Sequence, residues 1–341
     1  MRIGILTGGG DSSAINAAIR AVVRRGFEGG HQILGFKNGW AGPINNDYVE
    51  MTDESVSGIL PRGGTILGTS RTNPFKMDGA VEKMRENLKR AGIEAMICIG
   101  GDDTLGVAHK LNHLDEPILA IGIPQTIDND INGTDFAIGF QSALLVATDA
   151  LDRLHTTAES HHRIIVVEVM GRDAGHVALY AGLAGGADTI LVPEHRFSID
   201  DVVDRIKKRR QSGKTFSIIV VAEGARPEGR EQIVITEKTD AFGHVRLGGI
   251  GEYLANVIEE RTGLETRSMN LGHLLRGGVA SPFDRIIATE FGVAAVELVE
   301  KGEFDRMVAI QCGDVTSIPL EEALTTRPVD ERVFRMAQLF F

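Results

Sequence analysis

Two stretches, Ala95-Met-Ile-Cys-Ile-Gly-Gly-Asp-Asp-Thr104 and Ile118-Leu-Ala-Ile-Gly-Ile-Pro-Gln-Thr-Ile-Asp-Asn-Asp130, decide the fold of this chain. Each begins as a short apolar run that is rich in isoleucine and closed by glycine or proline, which is typical of a strand buried in a parallel sheet. The polar residues that follow are therefore expected at the carboxyl edge of a sheet, where open α/β sheets bind ligands.

The polar ends of these two strands favour phosphate chemistry. A Gly100-Gly101 turn that leads into a helix presents backbone N–H groups to an anion. Four carboxylates share the two loops and would repel a phosphate unless a divalent cation intervenes or one of them accepts a proton. These are Asp102, Asp103, Asp128 and Asp130. The two loops together predict phosphoryl transfer assisted by Mg²⁺.

Composition narrows the class of protein. The 341 residues suffice for two domains, and 43% apolar with 24% charged residues is ordinary for a soluble globular protein. The chain has 36 basic and 47 acidic residues, and the resulting net charge of -11 argues against nucleic-acid binding. No apolar stretch approaches the ~18 residues of a membrane span. Cys98 and Cys312 are interpreted as two buried, unpaired thiols, which predicts a cytoplasmic location without membrane association.

Working outward towards the N-terminus, residues 2–7 read as a strand, followed by Gly8-Gly-Gly-Asp11 and a helix from Ala14 to Arg25. A strand, a glycine turn and a helix favour a second phosphate-binding unit, although a merely tight turn fits the glycines equally well. Trp40 either stacks on a ligand or packs against a neighbouring loop. Arg71 ends a loop dense in glycine and is either a phosphate clamp or a plain surface arginine.

A second run of strands and helices begins near residue 138. Strands over 164–170 and 216–222 are closed by polar residues, Gly171-Arg172 and Glu223 respectively. The segment 265–278 then brings two arginines and a histidine together with little apolar cover. Guanidinium groups bind phosphate and imidazole binds a phosphate oxygen or a hydroxyl, so this segment predicts a sugar phosphate site.

Several spaced motifs, taken in order, resemble the 6-phosphofructokinases over nearly the whole chain. The motifs are Gly8-Gly-Gly-Asp11 with Asn16-Ala-Ala-Ile-Arg20, Gly100-Gly-Asp-Asp-Thr104, Pro124-Gln-Thr-Ile-Asp-Asn-Asp130, Met170-Gly-Arg172 and Gly272-His-Leu-Leu-Arg-Gly-Gly278. The stretch 156–163 looks most like the actinobacterial branch, which includes ATP-dependent and pyrophosphate-dependent members. The resemblance implies transfer of a phosphoryl group to the C1 hydroxyl of fructose 6-phosphate.

The resemblance also implies a fold and its division. The expected class is α/β, with two Rossmann-like domains, mostly parallel sheets and an active site in the cleft between them. Residues 1–138 plus about 277–313 would form the domain for the phosphoryl donor, pyrophosphate or ATP, and for Mg²⁺. Residues 139–276 plus about 314–341 would form the fructose 6-phosphate domain.

By the same resemblance each site residue receives a role. Asp128 would be the base for the C1 hydroxyl, Asp102 would hold Mg²⁺, and Thr126 and Arg172 would steady the transferring group. The donor would be bound by Gly10, Arg71, Gly101, Asp103, Thr104 and Gln125. Fructose 6-phosphate would be bound by Arg163, Met170, Gly171, Glu223, Arg267, His273 and Arg276. In the family, Arg163 and Arg267 come from a neighbouring subunit, so a homodimer or homotetramer with shared active sites is expected.

Two positions bear on the donor and disagree. ATP users of the family usually carry glycine where Asp103 stands, and a carboxylate there would repel an α-phosphate, which favours pyrophosphate. Pyrophosphate users pair that aspartate with a lysine where this chain has Gln125. Because a misplaced carboxylate excludes ATP while glutamine still donates a hydrogen bond, pyrophosphate is the predicted donor and ATP the alternative. Ser13-Ala14, where Pro-Gly is usual, also departs from the family.

Other readings are weaker. A non-catalytic descendant is conceivable because Gln125 and the serines before Ala14 depart from the pattern. A kinase of the NAD or lipid type shares a Gly-Gly-Asp loop but has no evident use for the cluster over 267–276. Arg20 and Arg24 match effector-site arginines of nucleotide-regulated enzymes, but His155 stands where another arginine is expected, which predicts weak or absent nucleotide activation.

Overall fold

The computed structural model describes residues 1–229, 234–239 and 245–340. Within them, two mainly parallel sheets with helices packed on them confirm the predicted α/β class. Residues 230–233, 240–244 and 341 belong to the predicted fructose 6-phosphate domain and lie outside the described residues.

The described strands are numbered along the chain. They are β1 (Arg2–Thr7), β2 (Gln32–Phe36), β3 (Tyr48–Glu50), β4 (Ala95–Gly100), β5 (Ala120–Thr126), β6 (Ile138–Gly139), β7 (Ile164–Val169), β8 (Thr189–Leu191), β9 (Ser217–Ala222), β10 (Val234–Thr239), β11 (Val245–Leu247), β12 (Thr266–Asn270), β13 (Arg306–Gln311) and β14 (Asp314–Pro319).

The described α-helices are α1 (Ile15–Glu28), α2 (Ala41–Asn45), α3 (Ala80–Ala91), α4 (Asp102–Asn112), α5 (Phe140–His161), α6 (His176–Ala184), α7 (Ile199–Gln211), α8 (Ile250–Thr262), α9 (Pro282–Lys301), α10 (Leu320–Ala323) and α11 (Glu331–Ala337). Short 3-10 helices cover Pro74–Lys76, Gly272–Arg276 and Gln338–Phe340.

The larger sheet has the strand order β14-β13-β5-β4-β1-β2-β3, with β6 beside β5. Its central pairs are parallel, and only the outer strands β3 and β14 run antiparallel to their neighbours. Because β1, β4 and β5 are adjacent and parallel, their carboxyl ends lie side by side. The three polar loops of the sequence therefore meet at one edge.

The smaller sheet has the order β12-β7-β9-β8 and is parallel throughout. The strands β7 and β9 are buried along their whole length, as their Ile and Val content predicts. Their carboxyl ends are adjacent, so the segment after Val169 lies next to the segment after Ala222. The strands β10 and β11 form a separate antiparallel pair.

One part of the predicted division is corrected. The sequence assigned residues from about 314 to the fructose 6-phosphate domain, but β14 pairs with β13 in the larger sheet. Helix α10 also packs on that side, since Leu320 and Ala323 belong to the same buried cluster as Leu105 of α4. The chain returns to the smaller sheet only with α11, where Val333 lies in the core with β7 and β9 residues.

The hairpin between β13 and β14 explains this difference and corrects a second prediction. Gln311 pairs with Asp314, so Cys312 and Gly313 form a two-residue turn with φ of 53° and 93°. Such a turn requires positive φ at both positions, and without an Asn-Gly or Asp-Gly signal it is hard to find in a sequence. Cys312 is therefore exposed, whereas Cys98 is buried as predicted.

Other local predictions have mixed outcomes. Trp40 is buried and packs in the core against α3 and the larger sheet. Of the two predicted roles of Trp40, the structure therefore favours packing over stacking on a ligand. In the second run of strands and helices, helix α5 ends at His161, where His162 adopts a left-handed φ of 56°. None of the described helices is long and apolar enough to cross a membrane.

Candidate active site

Three glycine-rich or acidic loops meet at the carboxyl edge of the larger sheet. The amide of Gly8 donates to Ile99 O at 2.9 Å, which joins the loop after β1 to the end of β4. A Cβ added at Gly8 would lie 2.6 Å from Thr104 Oγ1, and one at Gly100 would lie 2.6 Å from Thr104 Cβ. These two glycines are therefore required because the side chain of Thr104 fills the space between the loops.

The first turn of α4 carries the next pair of predicted residues. Gly101 precedes the helix and supplies no side-chain cap, so the first amides are available to a ligand. Asp102 is exposed and Asp103 is partly exposed in that same turn. An anion that approaches these amides must therefore pass two carboxylates, which a divalent cation would neutralise.

The loop after β5 concentrates negative charge. The Oδ1 atom of Asp128 is buried and has no hydrogen-bond partner. Burial raises the pKa of Asp128 above its ordinary value, while the charges of Arg276 and Arg172 oppose that shift. Burial and then the charge of Asp128 raise the pKa of Asp130 to about 8. The two guanidinium groups thus offset part of the repulsion among these carboxylates.

These carboxylates suit a magnesium ion chemically. Mg²⁺ takes hard oxygen ligands and commonly uses one or two carboxylates together with phosphate oxygens. Asp102 is exposed at the edge of the cluster, and its charge also raises the pKa values of Asp128 and Asp130. The mutual repulsion of these carboxylates is the observation that supports the fit, because the charges of Asp128 and Asp102 both raise the pKa of Asp130 and a divalent cation would offset them.

Gln125 lies in β5 one residue before Thr126 and is 1% exposed. Neither its amide nitrogen nor its amide oxygen has a hydrogen-bond partner. A Cβ added at Gly101 would lie 3.7 Å from the backbone oxygen of Gln125, so the residue adjoins the start of α4. A buried amide without partners is costly, and this one is placed where a donor molecule is predicted.

Arg276 connects the two groups of predicted residues. Its Nη1 atom donates to Asp11 O at 3.1 Å, and a Cβ added at Gly10 would lie 2.5 Å from that same Nη1. The sequence analysis predicted that Gly10 binds the phosphoryl donor and that Arg276 binds fructose 6-phosphate. In the structure these two residues are in contact. The neighbouring Ser13 Oγ donates to Gly277 O at 3.0 Å, which holds the two loops together.

The smaller sheet contributes Met170, Gly171 and Arg172 after β7 and Glu223 after β9. The Glu223 amide donates to Val169 O at 2.9 Å, so these two ends are in direct contact. Gly171 has a φ of 138°, and an added Cβ would lie 2.7 Å from Ala174 O, so only glycine fits this turn. Burial, followed by the charge of Asp128, raises the pKa of Glu223 to about 7. The two sheets thus place their carboxylates within electrostatic reach of each other.

Two predicted residues do not lie with the others. Arg163 directly precedes β7, whereas Met170 directly follows it, and six residues of strand span about 20 Å. Arg267 pairs in register with Ile165, so it also lies near the amino end of β7. Both arginines bind Glu265, with N···O distances of 2.8 Å for Arg163 and 2.5 Å for Arg267.

The remaining predicted residues are accessible. His273 is exposed in the 3-10 helix that ends at Arg276. Arg71 is exposed in the loop before the 3-10 helix over Pro74–Lys76. The Oγ1 atom of Thr126 accepts a hydrogen bond from the Asp128 amide at 3.1 Å, which orients the first turn of the acidic loop.

Sequence reasoning missed residues that hold these loops in place. Glu168 is 2% exposed and accepts hydrogen bonds from Asn270 Nδ2 at 2.7 Å and from the Gly251 amide at 2.8 Å. A single carboxylate inside the apolar run of β7 was the available signal. The amide of Arg327 donates to Asp130 O at 2.7 Å, and no sequence pattern connects those two positions.

Asp284 is a second buried carboxylate that sequence reasoning missed. It is 0% exposed and accepts from the Ser142 amide at 2.7 Å and from Ser142 Oγ at 2.6 Å. It also accepts from the Gly139 amide at 3.2 Å. Because Asp284 belongs to α9 and Ser142 to α5, it joins the beginnings of two helices at the passage between the sheets.

Comparison with known proteins gives the family. The phosphofructokinase family matches residues 2–299 of the chain. A pyrophosphate–fructose 6-phosphate 1-phosphotransferase of Amycolatopsis mediterranei (strain S699) is 53% identical over 346 positions, with 100% of both chains covered. ATP-dependent 6-phosphofructokinase 3 of Streptomyces coelicolor is 46% identical, with 95% of each chain covered. The structure of Pichia pastoris phosphofructokinase in the T-state has a TM-score of 0.85 at 34% identity and covers 99% of this chain and 38% of the fungal one. The chain therefore belongs to the phosphofructokinase family, as its motifs predicted.

Proposed function

We propose that this protein transfers a phosphoryl group to the C1 hydroxyl of fructose 6-phosphate, with pyrophosphate as the favoured donor. The observation that carries the proposal is the meeting of acidic and basic groups from both sheets around Asp128. Asp102 and Asp130 come from the larger sheet, and Arg172 comes from the smaller one. Phosphoryl transfer requires positioning and charge neutralisation of this kind.

Asp128 is proposed as the base. Its buried and unpartnered Oδ1 accepts the proton of the C1 hydroxyl as the C1 oxygen attacks the terminal phosphorus. A new oxygen–phosphorus bond forms, and the bond to the leaving phosphate or ADP breaks. A magnesium ion held by Asp102 would neutralise the donor's charge when bound. Arg172 and the hydroxyl of Thr126 steady the transferring group.

The donor site is proposed at the carboxyl edge of the larger sheet. Its members are Gly10, Arg71, Gly101, Asp103, Thr104 and Gln125. The side-chain amide of Gln125 has no hydrogen-bond partner at either Nε2 or Oε1, and its Nε2 can donate to an oxygen of a compact diphosphate. Asp103 lies in the first turn of α4, where its carboxylate would oppose an α-phosphate. The relative with the pyrophosphate name also has the higher identity of the two curated proteins described above.

The fructose 6-phosphate site is proposed at the edge of the smaller sheet, with Met170, Gly171, Glu223, His273 and Arg276. Arg163 and Arg267 are proposed to come from a neighbouring subunit. Their position at the opposite end of β7 supports this, because no arginine side chain spans about 20 Å. The functional unit would then be at least a homodimer, with residues 1–138 and about 277–325 forming the donor domain.

The donor assignment is tested with purified protein, fructose 6-phosphate and Mg²⁺. We expect kcat/KM to be at least about tenfold higher with pyrophosphate than with ATP, a difference of ~1.4 kcal/mol in the transition state. Asp103→Gly should raise kcat/KM for ATP, and Gln125→Lys should raise it for pyrophosphate. Asp115→Gly removes an equal charge from an exposed position beyond the far end of α4 and should change neither.

Two results would contradict the proposal in distinguishable ways. If ATP supports faster turnover than pyrophosphate, the donor assignment is wrong and the ATP-dependent alternative replaces it. If neither donor supports turnover, or if turnover persists in Asp128→Ala, the proposed chemistry at Asp128 is wrong. Absence of turnover with both donors would favour a member of the family that has lost phosphoryl transfer or acts on another sugar phosphate. Turnover that persists in Asp128→Ala would instead show that another group accepts the proton.

A further inference from the structure

We infer that His109, His113 and Asp305 form a binding site for one divalent transition metal ion of the Zn²⁺ type, separate from the proposed magnesium site. His109 Nδ1 lies 2.9 Å from Asp305 Oδ1, and His113 Nε2 lies 2.8 Å from Asp305 Oδ2. One donor atom from each side chain can be chosen so that all three lie within 4.8 Å of one another. Neither the proposed reaction nor the family motifs use these three residues.

The two histidines share one face of a helix. They are four residues apart in the last turn and C-cap of α4, and their ring centroids are 4.5 Å apart. Two imidazoles and one carboxylate form the donor set of open three-ligand sites, for which zinc and the later first-row metals have the highest affinity. The carboxyl end of a helix carries a partial negative charge, which adds to the attraction of Asp305 for a cation.

The carboxylate is held in place by backbone contacts. Asp305 adopts a left-handed φ of 54°, a conformation that is uncommon for a residue with a side chain. Its amide donates to Ala120 O at 3.1 Å, and its carbonyl oxygen accepts from the Leu320 amide at 2.9 Å. Because β5 and α10 fix this conformation, the carboxylate is presented to α4 with little freedom to turn away.

Exposure provides an entry path. The His113 side chain is 61% exposed, while those of His109 and Asp305 are 21% and 28% exposed. An ion can therefore reach the site from solvent and retain water in a fourth coordination position. The deeper pair would supply rigidity and the outer histidine would close over the ion.

A hydrogen-bonded trio without metal is the competing explanation. Two neutral imidazoles can each donate an N–H to one carboxylate oxygen, and the present separations fit that arrangement. With metal–ligand bonds of about 2.0–2.2 Å, tetrahedral coordination places neighbouring donors about 3.3 Å apart. The two histidine–carboxylate separations would therefore lengthen by roughly half an ångström, and any donor pair that is now as far apart as 4.8 Å would shorten by up to about 1.5 Å. Rotation of the exposed His113 side chain can supply most of this movement.

A metal ion at this site should change the stability of the protein rather than the binding of the phosphoryl donor. It lies at the opposite end of α4 from Asp102, and eleven residues of helix span about 16 Å. An ion bound there would join the end of α4 to the residue before β13. Since the unfolded chain does not hold the three ligands together, binding should raise the melting temperature of the protein.

The test uses the full-length protein after treatment with a chelator, with Zn²⁺ or Co²⁺ as the only added ligand and excess Mg²⁺ present. Calorimetry should show one saturable site, and Co²⁺ should give the visible absorption of a tetrahedral complex. His113→Gln and Asp305→Asn should each weaken binding at least about tenfold, as loss of a metal ligand does. Saturating Zn²⁺ should raise the melting temperature by a few degrees in the parent protein and not in these two variants.

His195→Gln is the matched control, because His195 also pairs with an exposed carboxylate, Glu331, at 3.0 Å. It should leave Zn²⁺ binding unchanged, and so should Asp102→Asn. Absence of saturable binding in the micromolar range would overturn the inference in favour of the hydrogen-bonded trio. Binding that persists in His113→Gln, or that is lost in Asp102→Asn, would overturn it as well. A failure of the fructose 6-phosphate assay would not affect this result.

Discussion

The proposed sharing of the active site between subunits gives a prediction with a calculable outcome. Arg163 lies about 20 Å along β7 from Met170, so its own subunit's sugar site is beyond its reach. Asp128, by contrast, belongs to the site of its own chain. A hybrid dimer of one Arg163→Ala subunit and one Asp128→Asn subunit therefore contains one site with both residues native and one site with both changed.

The size of the effect follows from this arrangement. Loss of one charge-assisted hydrogen bond to a phosphate removes about 1.5–3 kcal/mol, so Arg163→Ala alone should raise KM for fructose 6-phosphate roughly 10- to 150-fold. Asp128→Asn alone should have almost no turnover. The hybrid should nevertheless have about half the activity of the unmodified dimer, and a random mixture of the two subunits about one quarter.

The assay requires two different affinity tags, co-expression and sequential purification of the hybrid. Activity is measured at a fructose 6-phosphate concentration near the unmodified enzyme's KM. Arg153→Ala, which removes an exposed arginine paired only with Asp149 in α5, replaces Arg163→Ala in the control hybrid. If the Arg163→Ala hybrid has no more activity than the mean of its two parents, Arg163 does not act across subunits and the reasoning is refuted.

Three further predictions concern single residues. Because the pKa of Glu223 rises from 4.5 to about 7 on folding, its contribution to stability is present below pH 4.5 and is lost as the pH rises through 7. Glu223→Gln should therefore stabilise the ligand-free protein by on the order of 2 kcal/mol at pH 8 in urea unfolding, and an equal gain at pH 4.5 would contradict this origin. Asp284→Ala leaves the buried donors of Ser142 without a partner and should cost about 2–4 kcal/mol in the same measurement; a loss under 1 kcal/mol would show that these bonds contribute little. Gly10→Ala should displace Arg276 and raise KM for fructose 6-phosphate at least about fivefold at unchanged melting temperature, whereas an unchanged KM would place Arg276 outside the sugar site.

Local pattern was sufficient for the elements around the catalytic centre. The apolar runs of β1, β4 and β5 end in glycine or acidic residues, and parallel pairing then brings those ends together without further information. The strands β7 and β9 follow the same rule and place Met170 next to Glu223. The position of such a strand can be predicted from the spacing and type of its apolar residues, because a strand buried on both faces must be apolar along its whole length.

Contacts between segments that are far apart in the chain could not be predicted from local sequence patterns. The pairing of β14 with β13 depends on a two-residue turn at Cys312 whose residues carry no usual turn signal. The contact of Gly10 with Arg276 joins residues that the sequence assigned to different ligands. The helix junction at Asp284 and the hydrogen bond from Arg327 to Asp130 likewise join positions far apart in the chain.

The sequence by itself determined the α/β class, the family and the residues that meet at the carboxyl edges of the strands. Only the tertiary structure decided which of those residues share one site and which, like Arg163, lie at the far end of a strand. The physical reason is that strand ends are fixed by local composition, whereas the packing of one loop against another depends on long-range register and on the space that individual side chains leave. The cluster of His109, His113 and Asp305 could likewise be found only in the tertiary structure, since 192 positions separate His113 from its carboxylate partner.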